Sequence, residues 1–122
     1  MVLVDTSIWI DHFRKADAKL IQLLDAQQVL MHPYIIGELA CGNLNPRDEV
    51  LNLLSMLPSA RLADAHEVLY FIEANQFYGK GIGYVDAHLL SSVALERGAT
   101  LWTRDKRLGT LAQSIGLSFT TA

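Results

Sequence analysis

Cysteine is almost missing from this chain: one, Cys41, in 122 residues. A lone thiol closes no intramolecular disulfide and builds no zinc cage, and its setting, Leu39-Ala40-Cys41-Gly42, reads as a helix end with an inert, partly buried thiol. Long hydrophobic runs are lacking too. Stretches such as Met1 to Val4 fall far below the roughly 18 apolar residues that span a bilayer. The opening MVLVDTSIW has no basic leader followed by an apolar run and a cleavage site, so the expected location is cytoplasmic. Basic charge is in deficit, with 10 Lys and Arg against 13 Asp and Glu and a net charge of −3. That argues against a bulk nucleic-acid binder, while a locally segregated basic surface stays open. Repeats and low-complexity tracts are absent, and Pro33, Pro46 and Pro58 punctuate helix starts and loops rather than form a linker.

What is present is apolar content of 51%, which excludes intrinsic disorder, in a length that suits one core. A single domain spanning residues 1–122 is expected. Residues 2–4 form a short apolar strand, and Thr6-Ser7 can cap a helix through Arg14 with Ile8, Trp9 and Phe13 available for burial. A second helix is expected over Ala16 to Ala26, with Leu20, Leu23 and Leu24 on one face, then a strand from Gln28 to Met31. Pro33 opens a helix that carries Glu38 and stops at Gly42, and Pro46 opens another with Val50, Leu51, Leu54 and Leu57 at helical spacing. A strand is expected near Ala60 to Ala63, then a helix from Asp64 to Phe77 and a glycine-rich loop, Gly79 to Gly83. A helix from Tyr84 to Arg97 follows, with Val85, Leu89, Val93 and Ala94 facing inward and Gly98 ending it. Thr100 to Thr103 reads as strand, Lys106 to Ser114 as helix and Leu117 to Phe119 as a last strand. Short apolar strands alternating with helices give an α/β fold with a parallel sheet covered on both faces, and ligands bind beyond the carboxyl ends of such strands.

Four acids, Asp5, Glu38, Asp86 and Asp105, follow or interrupt apolar runs. Each aspartate has a plain alternative: Asp5 and Asp105 as helix caps, Asp86 as a first-turn charge that favours its helix dipole. Glu38 follows Tyr34-Ile35-Ile36-Gly37 and precedes Leu39-Ala40, where a solvated position is not obvious. Two unit charges about 4 Å apart repel by around 4 kcal/mol at an effective dielectric of 20, so a cluster of four needs a cation or shared protons. Carboxylate oxygens without His or Cys suit Mg²⁺ or Mn²⁺ rather than zinc. His12, His32, His66 and His88 have no metal-binding spacing and read as structural or surface residues. His88 lies about 200° around a helix from Asp86 and so is poorly placed to share its ligand. Removing the four acids from the net −3 leaves the rest of the chain at +1. Arg104, Lys106 and Arg107 flank Asp105, Arg14 and Lys15 close the first helix, and Lys80 stands at the tip of the glycine loop. An acidic pocket with this basic rim suits a polyanionic phosphodiester, against the alternative of ordinary solvated helix ends. The glycine loop is neither a P-loop nor a dinucleotide fingerprint. Trp9, Trp102 and the tyrosines read as core or interface residues rather than base-stacking platforms.

The runs Val2-Leu3-Val4-Asp5-Thr6-Ser7-Ile8-Trp9-Ile10, Gly37-Glu38-Leu39, Gly83-Tyr84-Val85-Asp86-Ala87-His88-Leu89-Leu90 and Leu101-Trp102-Thr103-Arg104-Asp105-Lys106-Arg107-Leu108 resemble the PIN-domain ribonuclease toxins called VapC, in order and over nearly the whole chain. The resemblance implies a single PIN-like α/β/α sandwich with a central parallel sheet, and catalytic and metal-ligating roles for Asp5, Glu38, Asp86 and Asp105. Thr6, Ser7 and Thr103 match supporting hydroxyl positions. Asn43 to Phe77 matches only in helical character. The implied activity is Mg²⁺- or Mn²⁺-dependent hydrolysis of RNA, tRNA favoured, leaving 5′-phosphate and 3′-hydroxyl ends. The implied partners are a second copy and a VapB-type antitoxin, in a heterotetramer or larger complex. One rival is a non-catalytic module that keeps the PIN shape to bind RNA or protein. Another, an aspartate-based phosphatase, is disfavoured because Asp5-Thr6-Ser7 lacks the Asp-x-Asp pair.

Overall fold

A computed structural model describes residues 1–120; Thr121 and Ala122 lie outside that range. At its centre, β1 (Val2–Val4) is buried at all three positions. It runs parallel to β2 (Val29–Leu30) on one side and to β3 (Thr100–Trp102) on the other, in the order β2-β1-β3. A strand covered on both faces needs apolar side chains on both, which is why Val-Leu-Val does not alternate with polar residues. Between β1 and β2 lie α1 (Thr6–Arg14) and α2 (Ala18–Asp25). After β2 come α3 (Pro33–Ala40), α4 (Arg47–Ser55), α5 (Ala65–Asn75) and α6 (Tyr84–Leu95), and α7 (Lys106–Ser114) follows β3. The result is the expected α/β sandwich. Its core is built from Leu3, Val4, Ile8, Leu20, Ile35, Leu89, Leu90, Leu101 and Leu108, all of them fully buried or nearly so.

Two expected strands shrink to single bridges. Near Ala60 to Ala63 the only pairing among the described residues is Met31 with Ser59, and the Ala60 N–H donates to the Met31 carbonyl. The Arg61 N–H goes instead to Glu96 Oε1 at 2.9 Å, so no ladder continues. At Leu117 to Phe119 the bridge found among the described residues is Ser118 with Leu101. Strand β3 ends at Trp102 because Thr103 turns toward Asp5, and Leu101 alone is left to bond outward.

Some burial expectations also change. Helix α6 is apolar around most of its circumference, so His88, Leu90, Ser91 and Ser92 are buried along with Leu89 and Val93. Val85 is only half-buried and Ala94 is exposed. Cys41, the C-cap of α3, is exposed, not partly buried. Both tryptophans are core residues, whereas Phe13, Tyr34, Tyr70, Tyr78 and Tyr84 are exposed. Asp5 rather than Thr6-Ser7 caps α1, and the two hydroxyls are freed for other partners.

Candidate active site

The order β2-β1-β3 makes the chain leave β1 toward one side of the sheet and later return on the other. The crevice between the carboxyl ends of β1 and β3 is the switch point at which such sheets bind ligands. Asp5 follows β1 there, 8% exposed, and its backbone N–H bonds the Trp102 carbonyl at 2.9 Å. Its Oδ1 accepts from the Thr6 N–H at 2.8 Å, which caps α1. Its Oδ2 accepts from Thr103 Oγ1 at 2.7 Å and from Ser7 Oγ at 3.1 Å.

Both hydroxyls also accept. Thr103 Oγ1 takes the Asp105 N–H and Ser7 Oγ takes the Arg104 N–H, each at 3.1 Å. The loop after β3 is thereby stitched to the start of α1. Asp105 Oδ1 caps α7 through the N–H groups of Arg107 at 2.9 Å and Leu108 at 3.1 Å. Glu38 projects from α3, and its Oε1 accepts from Thr6 Oγ1 at 2.7 Å. The helical frame of α3 therefore places a carboxylate beside Asp5 while Leu39 and Ile35 hold the buried face.

Asp86 stands in the first turn of α6, where its Oδ2 accepts the Gly83 N–H at 3.4 Å. Burial pushes this carboxyl above its ordinary range and the Gly83 N–H pulls it back, while the charges of Asp5, Asp105 and Glu38 push it up again. Asp86 thus feels all three of the other acids. Asp5 and Asp105 do cap α1 and α7, and each cap uses one oxygen of its carboxylate. Among the described residues Glu38 Oε2, Asp86 Oδ1 and Asp105 Oδ2 receive no hydrogen bond.

No three His, Cys, Asp or Glu side chains among the described residues are gathered tightly enough to enclose an ion by themselves. The donor set nonetheless fits Mg²⁺ or Mn²⁺, hard ions that take one or two carboxylates and complete their shell with water and substrate phosphate. His32 and His88 are engaged in aromatic packing. The His88 ring packs edge-on to Tyr34 and Tyr84, with centroids 4.8 and 4.6 Å away, and His32 packs on Tyr34 at 5.1 Å. Nothing in the sequence spacing announced this row of rings, which joins α3 to α6.

The six basic residues of the expected rim separate. Arg104 is engaged: its guanidinium pairs with Asp11 on α1 and with Asp17, the cap of α2. Arg14 lines a groove of about 380 Å³ together with Glu38, Ile10, Phe13, Leu39 and Asn43. Lys15, Lys80, Lys106 and Arg107 are exposed and form no ion pair among the described residues.

The PIN domain family model matches residues 2–113. "Ribonuclease VapC32" of Mycobacterium tuberculosis, in strain CDC 1551 / Oshkosh and in strain ATCC 25618 / H37Rv, is 48% identical over 118 residues, covering 97% of this chain and 95% of the relative. The crystal structure of FitAcB from Neisseria gonorrhoeae superimposes with a TM-score of 0.59 at 18% identity, over 93% of this chain and 94% of that one, which shows a shared fold. With its acids assembled at the switch point of such a sheet, the chain belongs to the PIN-domain family, within the VapC group of ribonuclease toxins.

Proposed function

We propose that this chain is a divalent-cation-dependent endoribonuclease that hydrolyses RNA phosphodiesters, with tRNA as the favoured substrate. The observation that carries the reading is that carboxyls from four separate elements share one electrostatic field, with three of their oxygens unclaimed. The mutual repulsion of such a cluster is relieved by a bound cation or by shared protons, and a hard divalent ion suits its oxygens. Asp5, Asp86 and Glu38 would hold Mg²⁺ or Mn²⁺, with Asp105 as a further ligand acting through water. When bound, the ion acidifies the attacking water and offsets charge on the phosphoryl oxygens.

The protein's own contribution is orientation. Thr103 and Ser7 donate to Asp5 Oδ2, which fixes that carboxylate in direction. Thr6 turns Glu38 by one oxygen, leaving Oε2 to align a water with the phosphorus and to accept its proton. Because water attacks rather than the ribose 2′-hydroxyl, the products carry 5′-phosphate and 3′-hydroxyl ends. The unpaired cations Arg14, Lys15, Lys80, Lys106 and Arg107 supply phosphate contacts. A second copy and a VapB-type antitoxin complete the assembly, and an arginine or lysine of the antitoxin placed among the four acids would neutralise them in place of the metal.

The test is incubation of total cellular RNA with purified, antitoxin-free protein and Mg²⁺ or Mn²⁺, followed by end mapping. Discrete cuts with 5′-phosphate ends, abolished by chelator, are expected. Cuts that leave 2′,3′-cyclic phosphate would refute the water-attack mechanism. No cutting by a folded protein that binds neither metal would favour a non-catalytic binding module.

A further inference from the structure

Resting on the ribonuclease reading, we propose that Arg107, seated on Gly81, is the residue that grips the phosphate of the RNA strand next to the one being cleaved. Arg107 is the second residue of α7, and its N–H bonds Asp105 Oδ1 at 2.9 Å. Its side chain crosses from there to the loop that leads into α6. A Cβ on Gly81 would lie 2.8 Å from Arg107 Cδ, 2.8 Å from its Nη1 and 3.1 Å from its Cζ. The guanidinium therefore rests on a bare Cα, in space that any side chain at residue 81 would take. Gly81 also has φ +82, a conformation that L side chains rarely adopt.

The span is what matters for function. One end of Arg107 is anchored at Asp105, and the other lies on the loop whose Gly83 N–H bonds Asp86. The cation is thus carried between the two elements that present those acids. Among the described residues it forms neither an ion pair nor a side-chain hydrogen bond. Arg104, on the preceding turn of chain, has the opposite fate, with its guanidinium claimed by Asp11 and Asp17. A guanidinium whose stem is held and whose donors are unspent matches an anion with two adjacent oxygens. A phosphodiester is the anion that a cation-loaded acidic crevice draws to this place. Lys80, next to Gly81, adds a second positive charge on the same rim.

The experiment measures binding of a short fluorescein-labelled single-stranded RNA by anisotropy over a series of NaCl concentrations. Ca²⁺ is present to load the carboxylates, and the proteins are wild type, Arg107→Ala, Arg107→Lys, Gly81→Ala and the Gly81→Ala/Arg107→Ala pair. Loss of one phosphate contact lowers the slope of log K against log salt by about 0.7. Arg107→Ala is expected to show that change and about tenfold weaker binding at low salt. Arg107→Lys should recover the slope but not the full affinity, because a lysine is a point charge rather than a fork. Gly81→Ala should weaken binding in the wild-type background and add nothing once Arg107 is gone. An unchanged slope in Arg107→Ala overturns the proposal while leaving the nuclease reading intact. A full Gly81→Ala effect in the Arg107→Ala background overturns the seating, because the glycine would then serve only its backbone angle. Failure of the folded wild type to bind RNA at all would overturn both.

Discussion

Asp5 is nearly buried yet accepts three hydrogen bonds, one from a backbone N–H and two from hydroxyls. Thr103 is the hinge of that arrangement, because its single oxygen donates to Asp5 and accepts from the Asp105 N–H. Thr103→Val keeps the shape and removes both bonds. We expect a stability loss of about 1 to 2 kcal/mol in urea unfolding and at least a tenfold fall in RNA cleavage. His32 makes a separate prediction. Its Nδ1 accepts the Tyr34 N–H at 3.0 Å, while its Nε2 is buried without a partner. Burial first, and the charge of His88 second, push its pKa from 6.5 down to about 4. Between those values the unfolded chain binds the proton and the folded chain does not. Stability is therefore complete above about pH 6.5 and declines toward pH 4, by about 3 kcal/mol from this residue. His88, held low by burial, acts with the same sign. His32→Asn keeps a capping oxygen and titrates nothing. Its unfolding free energy should fall less steeply from pH 6.5 to 4 than that of the wild type, and parallel curves would refute the assignment.

At the scale of the element, two helices start on similar caps with different consequences. Asp64 and Glu67 form a reciprocal capping box at the start of α5, with bonds of 2.8 and 3.0 Å. Asp64→Ala should cost about 1 kcal/mol and leave the rate of RNA cleavage unchanged. Asp105 caps α7, but it also stands in the acidic cluster. Asp105→Asn retains a good capping side chain, so its unfolding midpoint should stay near that of the wild type. Its cleavage rate should nevertheless fall at least tenfold, which separates charge from cap. The helices were legible in the sequence because apolar spacing, Pro33 and Asp64 mark them locally. The two lost strands were not legible, since what stops them is tertiary: the Glu96 carboxylate takes the Arg61 N–H, and Thr103 turns away from β3 to reach Asp5. Helix α6 likewise stops at Leu95 rather than Arg97, with Glu96 extended.

For the whole molecule, the order β2-β1-β3 places the ends of β1 and β3 side by side, and α3 and α6 deliver the remaining two acids to that edge. The four acids stood out in the sequence as candidates because each follows or interrupts an apolar run. What joins the acids did not, because the bonds from Thr103 to Asp5 and from Thr6 to Glu38 link residues far apart in the chain. The same holds for the basic rim. Composition offered six equivalent cations, whereas folding commits Arg104 to Asp11 and Asp17 and lays Arg107 on Gly81. A net charge of −3 concealed this segregation. If the four carboxyls act as one cation-dependent hydrolytic unit, metal binding and cleavage must rise together, which is read by titrating Mn²⁺ into wild type and Asp5→Asn by calorimetry while following RNA cleavage at each concentration. Cleavage by the wild type should rise with metal occupancy, and Asp5→Asn should lose both metal affinity and at least a hundredfold in rate while remaining folded. Cleavage that persists in chelator, or an Asp5→Asn variant that cuts like the wild type, would contradict such a unit.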